Sequence, residues 1–274
     1  MTGGLRFLLG THQPGWLAAA GVPLFVSDVR LRSYRRLPVA AGSWACDSGG
    51  FSQLQRHGQW TVTPAAYVAR LRRYRDEIGG LLWAAAQDWM CEPIIITGGI
   101  AGGQRFAGTG LSVVEHQHRT VANYVQLRAL GPELPIVPVV QGWTEADYVR
   151  CVDLYDRAGV DLTRLPLVGV GSVCRRQGTV EAGRILTALH EAGLRRLHGF
   201  GVKTLGLAAF GQLLVSADSM AWSVDARRRG SPLAGCTTHR NCANCLRYAL
   251  AWRAGLLRRR LGCGFVQPGL FDPA

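Results

Sequence analysis

Eight short apolar runs, each closed by a polar residue or a glycine, constrain this chain more than any other feature. They are RFLLG (6–10), PLFVS (23–27), SWACD (43–47), LLWAAAQD (81–88), IVPVVQ (136–141), LPLVGVG (165–171), RLHGFG (196–201) and LLVSAD (213–218). Their apolar character is continuous, which suits strands buried on both faces. Several of the segments between them carry helical periodicity. TPAAYVARLRRYRDEIG (63–79) sets Tyr67, Leu71 and Tyr74 on one face and arginines on the other. SVVEHQHRTVANYVQLRALG (112–131) ends at Gly131-Pro132, a stop signal. TEADYVRCVDLYDRAG (144–159) opens on an N-cap threonine with Asp147 at the capping-box position, and TVEAGRILTALHEAG (179–193) repeats the design. Strands and helices in this number and order predict an α/β fold, a (β/α)8 TIM-type barrel. The first two strands are too close for a full helix between them. The glycine-rich segment 89–111 is expected to be a mobile loop over the top of the barrel. From about Gly230 the chain turns cysteine-rich and then basic. We therefore expect a barrel over 1–229 and a small C-terminal zinc-binding subdomain over 230–274.

Composition enters where it limits the setting. Of 274 residues 48% are hydrophobic, enough for a sizeable core. The longest apolar run, Trp16 to Val26, is too short to span a bilayer, and MTGGLRFLLG lacks the parts of a signal peptide. The expectation is a soluble cytoplasmic protein with no membrane partner. Eight cysteines in such a setting read as free thiols or metal ligands rather than a disulfide framework. The net charge is +13. From Ala221 onward nine arginines face only Asp225 and Asp272. A positive field of this kind favours a polyanion, most simply nucleic acid.

In such barrels the C-terminal ends of the strands build the active site. Those ends read Asp47, Asp88, Gln141, Gly171, Phe200-Gly201 and Asp218. Asp47 opens DSGGF (47–51), where two glycines let the backbone turn sharply and leave room for a ligand. The same residues are also ordinary turn formers. Three carboxylates and a carboxamide converging on one rim suit chemistry at a glycosidic bond. One carboxylate can attack C1′ of a sugar, a second can protonate the leaving base and deprotonate the incoming one, and a third can accept from a guanine-like edge. Gln141 can satisfy a carbonyl or ring nitrogen, and Gly171 lets a backbone N–H approach the base. Phe51 and Phe200 could stack on its faces.

Six motifs occur in the order and at roughly the spacing of one known group: DSGGF (47–51), QDWMCEP (87–93), VVQG (139–142), VGVGS (168–172), HGFGVKT (198–204) and ADSMAWS (217–223). In these the chain resembles the tRNA-guanine transglycosylase superfamily, which includes the queuine and archaeosine enzymes and the DNA-acting 7-deazaguanine transglycosylases (DpdA-like). The resemblance implies a pentosyltransferase that exchanges guanine for a 7-deazaguanine, preQ0-like or preQ1-like, through a covalent Asp–sugar intermediate. It implies Asp218 as nucleophile and Asp47 as general acid/base. Asp88, Gln141, Gly171 and Ser172 would bind the base, with Phe51 and Phe200 stacking on it. The shorter chain and basic tail look more like the DNA-acting branch than the tRNA enzymes. A tRNA acceptor or base exchange on a nucleoside is the alternative within this class. A non-catalytic, zinc-bearing nucleic-acid-binding protein is the alternative from another.

CTTHRNCANC (236–245) places Cys236, His239, Cys242 and Cys245 at two-residue intervals, a set suited to a closed tetrahedral structural zinc site. The family pattern has three cysteines and a more distant histidine, so Cys263 is a spare ligand. The following stretch, 245–262, reads as a basic helix whose arginines could track phosphates.

Overall fold

A computed structural model describes residues 5–262, apart from Gln177 and Thr238. The chain divides into two compact units, Met1–Met220 and Ala221–Ala274.

The first unit is the expected barrel. Its strands are β1 (Arg6–Thr11), β2 (Leu24–Ser27), β3 (Trp44–Asp47), β4 (Leu81–Ala85), β5 (Ile136–Val137 and Val139–Val140), β6 (Val168–Val170), β7 (Leu197–Gly199) and β8 (Ser216–Ser219). All are parallel, and each apolar run of the sequence supplies one. Strand β5 is broken at Pro138, which has no N–H to give the ladder. Its first half pairs with β4 and its second half with β6, so the sheet closes through this one strand. The Pro138 carbonyl still accepts from Gly169 N–H at 2.9 Å.

Residues two apart on a strand share a face. Phe25, Ala45, Trp83, Ala85 and Leu8 pack inside the barrel, with Phe200 against them. The small residues matter as much as the large ones. A Cβ on Gly169 would lie 2.4 Å from Cε2 of Phe200, so the glycine leaves the space this ring occupies. The opposite parity faces the helices: Trp44 and Val26 are fully buried there, and Trp44 Nε1–H donates to the Gly79 carbonyl at 2.7 Å.

The helices begin and end where the sequence places them. Pro64–Ile78 is capped by Thr63, Val113–Leu130 by Ser112, and Val180–Glu191 by Thr179. Glu145–Arg157 carries the full capping box of Thr144 and Asp147. Tyr67, Leu71 and Tyr74 are the buried face of the first. Between β1 and β2 there is only a 3-10 turn, Pro14–Ala18.

The segment 89–111 departs from expectation. It holds a short helix, Pro93–Thr97, and an antiparallel hairpin, Gly99–Ala101 with Gln104–Phe106. Its glycines are structural: Gly102 (φ 58°) and Gly103 (φ 72°) make the hairpin turn. Its apolar residues Ile95 and Phe106 bury with Leu54 and Trp89 in a separate small core. Composition alone had pointed to a loop because it does not show this packing.

The second unit contains helices Ala221–Arg229 and Leu246–Gly262. Tyr248 O–H donates to Asp225 at 2.6 Å and Ser223 O–H to the Ala243 carbonyl at 2.8 Å, which tie the two helices and the cysteine loop together. Among the described residues no helix is long and apolar enough to cross a membrane.

Gly169→Ala is expected to destabilise the barrel by about 1–3 kcal/mol, the cost of overpacking a filled core. Urea unfolding followed by tryptophan fluorescence measures it. An unchanged midpoint would mean that the Phe200 ring moves aside freely.

Candidate active site

The parity of the barrel interior decides which strand-end residues meet. Ala45 faces inward, so Asp47 does too, and its ladder partner is Ser27. Burial pushes the Asp47 carboxyl up, more than hydrogen bonds from Ser27 and the Gly49 N–H pull it down, and the charge of Asp218 adds to the rise. Asp88 lies just beyond β4 and is 6% exposed. Burial lifts its pKa to about 7 against the opposing Gln141 hydrogen bond, with Asp47 and Glu92 adding to the lift. Asp47 thus stands electrostatically between the other two carboxyls: the charge of Asp218 acts on it, and its own charge acts on Asp88.

Asp218 is held by two N–H groups on one oxygen. His198 Nε2 lies 3.2 Å and Gly201 N 3.0 Å from Oδ1. His198 is fully buried and its Nδ1 lies 2.8 Å from Ser216 Oγ. With Nε2–H donating to the carboxylate, Nδ1 accepts from the serine; this tautomer is assigned from the network. The arrangement follows from register. His198 pairs with Ser216, and Asp218 lies two residues on, on the same inward face. Trp83 and Phe200 pack edge-on against the His198 ring, both at 4.7 Å between centroids, and fix its plane. The sequence reading quoted His198 within HGFGVKT and gave it no role. Its signal was a lone imidazole in an otherwise apolar strand.

The other wall is a continuous set of hydrogen bonds. Gln141 Nε2–H donates to Asp88 Oδ2. Ser172 Oγ lies 2.7 Å from Gln141 Oε1 and 2.8 Å from Glu92 Oε2, and accepts from Cys91 N–H at 2.9 Å. Among the described residues Ser172 is the one non-glycine with positive φ, 55°, a strained conformation of the kind that gathers at functional sites. Glu92 also escaped the sequence reading, although it stands inside QDWMCEP.

Gly171 needs correction. Its N–H donates to the Val140 carbonyl at 3.0 Å and its own carbonyl accepts from Tyr148 O–H at 2.7 Å. The N–H is therefore committed to the ladder rather than turned toward a base edge. The position needs glycine because a Cβ there would lie 2.1 Å from Gln141 Nε2. Phe200 is half-buried over the barrel core. Phe51 stands edge-on to Phe106 of the hairpin at 5.9 Å. Its neighbour Gly50 abuts Asp88: a Cβ there would be 3.0 Å from Oδ1.

In the second unit the ligand atoms of Cys236, His239, Cys242 and Cys245 all lie within 4.8 Å of one another. Cys236 and Cys245 Sγ are 3.8 Å apart. A tetrahedral ion with metal–sulfur bonds of about 2.3 Å has sulfur–sulfur edges of about 3.8 Å, so the pair fits such an ion. Leu233 N–H donates to Cys242 Sγ at 3.1 Å. Burial works against a Cys245 thiolate, but the Tyr248 N–H, hydrogen bonds with Cys236 and Cys242 and the Arg247 N–H together outweigh it and hold the thiol below its ordinary value. The four residues can hold a metal ion. Cys263 lies outside the described residues.

A family model described as DpdA, DeoxyPurine in DNA protein A, matches residues 4–263. No curated protein matches. Among solved structures the chain is similar to the YdjI aldolase from Escherichia coli K12, with 10% identity and a TM-score of 0.47 over 94% of this chain and 91% of that one. It is also similar to the carboxyl transferase domain from Rhizobium etli pyruvate carboxylase, with 13% identity and a TM-score of 0.36 over 99% of this chain and 50% of that one. Neither likeness carries an argument about chemistry.

The Asp88 carboxyl titrates at about 7 in the fold against 3.8 when exposed. The folded state binds this proton more tightly, so the stability it contributes is present at low pH and lost as pH rises through about 7. Asp88→Asn cannot ionise. Its stability relative to wild type is expected to grow between about pH 4 and about pH 7 and to level off above. Urea midpoints at several pH values check this. A difference that is flat with pH would contradict the burial of a charge at this position.

Proposed function

The chain belongs to the DpdA family, and on that premise we propose that it is a DNA guanine transglycosylase that replaces guanine with a 7-deazaguanine. The observation that carries this reading is that Asp47 lies within electrostatic reach of both Asp218 and Asp88 at the strand ends of the barrel. It supports three carboxyl groups with three different tasks in one mouth.

Asp218 is the nucleophile. Both of its N–H bonds fall on Oδ1, which orients the carboxylate so that Oδ2 can attack C1′. The C1′–N9 bond breaks as the C1′–O bond forms, and the departing guanine takes a proton at N9. Asp47 supplies that proton: its raised pKa favours the neutral acid, as a general acid requires. The incoming 7-deazaguanine enters as guanine leaves. The Asp47 carboxylate takes its N9 proton, N9 attacks C1′, and Asp218 is released. Asp88 accepts from the N–H edge of either base, and Gln141 and Ser172 hold Asp88 and line the wall beside it.

The polymer is DNA in this reading. The basic balance of the whole sequence suits its phosphates. A guanine inside a duplex must leave the stack to reach a barrel mouth, at a cost of a few kcal/mol. The hairpin packed on Phe51 presents Ile100, 80% exposed, and the stretch from Pro93 to Ser112 contains no acidic residue. Those properties suit an element that meets DNA beside the extruded base. The metal of the second unit is zinc, held by Cys236, His239, Cys242 and Cys245; it supplies structure and takes no part in the reaction.

Incubation with labelled guanine and duplex DNA, single-stranded DNA, tRNA or a nucleoside tests the acceptor. Label is expected in DNA. Label in tRNA or nucleoside alone would overturn the assignment of the polymer. Asp218→Ala is expected to abolish the protein–DNA adduct that survives denaturation, and Asp47→Asn to slow exchange by roughly 10²–10⁴-fold.

Metal analysis of the purified protein is expected to find one zinc per chain, lost in Cys242→Ser. Zinc at full occupancy in that variant would exclude this ligand set.

A further inference from the structure

The helix Val113–Leu130 buries two kinds of side chain along its length. Toward its end it does what a helix around a barrel ordinarily does, burying the apolar Val121, Tyr124 and Leu127. Its first half instead buries His116, Gln117 and Thr120, each 0% exposed, with Asn123 half-buried after them. Polar side chains on the packed face of a helix cost stability unless each has a partner.

Each has one, and the partners fall on two short pieces of backbone. The last ladder bond of β4 runs from Ala86 N–H to the Val137 carbonyl at 3.1 Å. Beyond it the chain leaves the sheet while still buried, and its backbone groups need other partners. The helix supplies three. Asn123 Nδ2–H donates to the Gln87 carbonyl at 2.8 Å, Thr120 Oγ1 accepts from Trp89 N–H at 2.8 Å, and His116 Nδ1 lies 2.6 Å from the Met90 carbonyl. Facing a carbonyl, Nδ1 carries the hydrogen, and Nε2 then accepts from Thr109 O–H at 2.7 Å. Burial lowers the pKa of His116, in keeping with a neutral ring. Gln117 uses both hydrogens of its amide, on the Gln141 and Asp147 carbonyls, each at 2.6 Å, and its oxygen accepts from Arg150 Nε at 2.8 Å.

Gln87, Trp89 and Met90 flank Asp88 in the chain, and Gln141 is the residue whose amide N–H donates to the Asp88 carboxylate. One helix face therefore holds the backbone on both sides of Asp88 and the backbone of its amide partner. The sheet does not do this, because Asp88 lies beyond the end of β4 at Ala85 and Gln141 beyond the end of β5 at Val140. We infer that His116, Gln117, Thr120 and Asn123 are the positioning residues of the base pocket, a single helical frame that sets Asp88 and Gln141 at a fixed separation for the N–H edge of guanine. They act through these two residues, and the inference rests on the reading of Asp88 as the base-binding carboxylate. A pair that must match a flat base has to keep its spacing to a fraction of an ångström, which takes support of this kind.

Thr120→Val removes the acceptor for Trp89 N–H at nearly constant volume, and Thr120→Ser keeps it. Leu127→Val disturbs the apolar stretch of the same helix and is the control for stability. Exchange with labelled guanine gives the first readout. Thr120→Val is expected to raise KM for guanine about tenfold with kcat within about threefold, because it loosens a binding group and leaves Asp218 and Asp47 in place. Thr120→Ser and Leu127→Val are expected to keep KM near the wild-type value. Carbon NMR of the aspartate carboxyl groups, with Asp88→Asn identifying the resonance, gives the second readout without turnover. The Asp88 midpoint, about 7 in the fold, is expected to fall in Thr120→Val as water reaches the loosened segment and to hold in Thr120→Ser and Leu127→Val. A folded Thr120→Val with unchanged KM, or with an unmoved Asp88 midpoint, overturns the inference. So does a Leu127→Val that raises KM as much as Thr120→Val, since the effect is then one of general stability. If wild type exchanges no base while the Asp88 midpoint moves as expected, the transglycosylase reading fails and the helical frame around Asp88 stands.

Discussion

Closure of the parallel ladder is the constraint on which the rest depends. Eight strands running one way bring all their C-terminal ends to one rim, but only a closed sheet fixes which residues of different strands face each other. Here the closing strand is the one that Pro138 breaks. Its halves serve different neighbours, β4 and β6, so the loss of one N–H falls where the strand changes partners. The register that results sets Ser27 beside Asp47 and Leu8 beside Asp218. A slip of one residue at either pair would turn a carboxyl outward among the helices, where Trp44 and Val26 leave no room for charge.

With register fixed, electrostatics sorts the three carboxyls. Asp47 feels the charge of Asp218, and Asp88 that of Asp47, and each of the three has different partners. Asp218 receives two N–H donors on one oxygen. Asp47 is pushed up by burial against hydrogen bonds from Ser27 and Gly49. Asp88 leans on an amide that is itself tied to Ser172 and Glu92. The proposed roles of nucleophile, acid and acceptor call for such different surroundings. The differences come from ladder position rather than from residue type, since all three are aspartate.

Much of this was legible in the sequence, and the limits have physical causes. Eight continuous apolar runs and four capped helices gave the barrel because burial and capping are local properties of the chain. The strand-end aspartates stood out because a charge that terminates a buried strand is conspicuous. His198 and Glu92 did not. His198 matters through its ladder partner Ser216, which lies eighteen residues away in sequence, and pairing register is not a local property. Glu92 acts on a serine eighty residues away across the barrel mouth. Gly171 was legible as a residue that makes room, but not as one that makes room for Gln141. The hairpin was lost because its glycines read as looseness, when their positive φ values build a tight turn.

The second unit meets a different constraint with a different solution. Among its described residues it holds two helices and a loop, with few fully buried apolar side chains, and units of this size seldom close on hydrophobic burial alone. Its first helix ends in the run Arg227, Arg228 and Arg229, whose charges repel unless something else holds the helix in place. Asp225 takes up part of that charge through Arg229 and accepts from Tyr248 of the second helix. The Cys/His cluster can hold a metal that would fasten the loop to the start of that helix at Cys245, whose thiol is held below its ordinary value. A metal held by the four residues would add a cross-link that does not depend on hydrophobic burial.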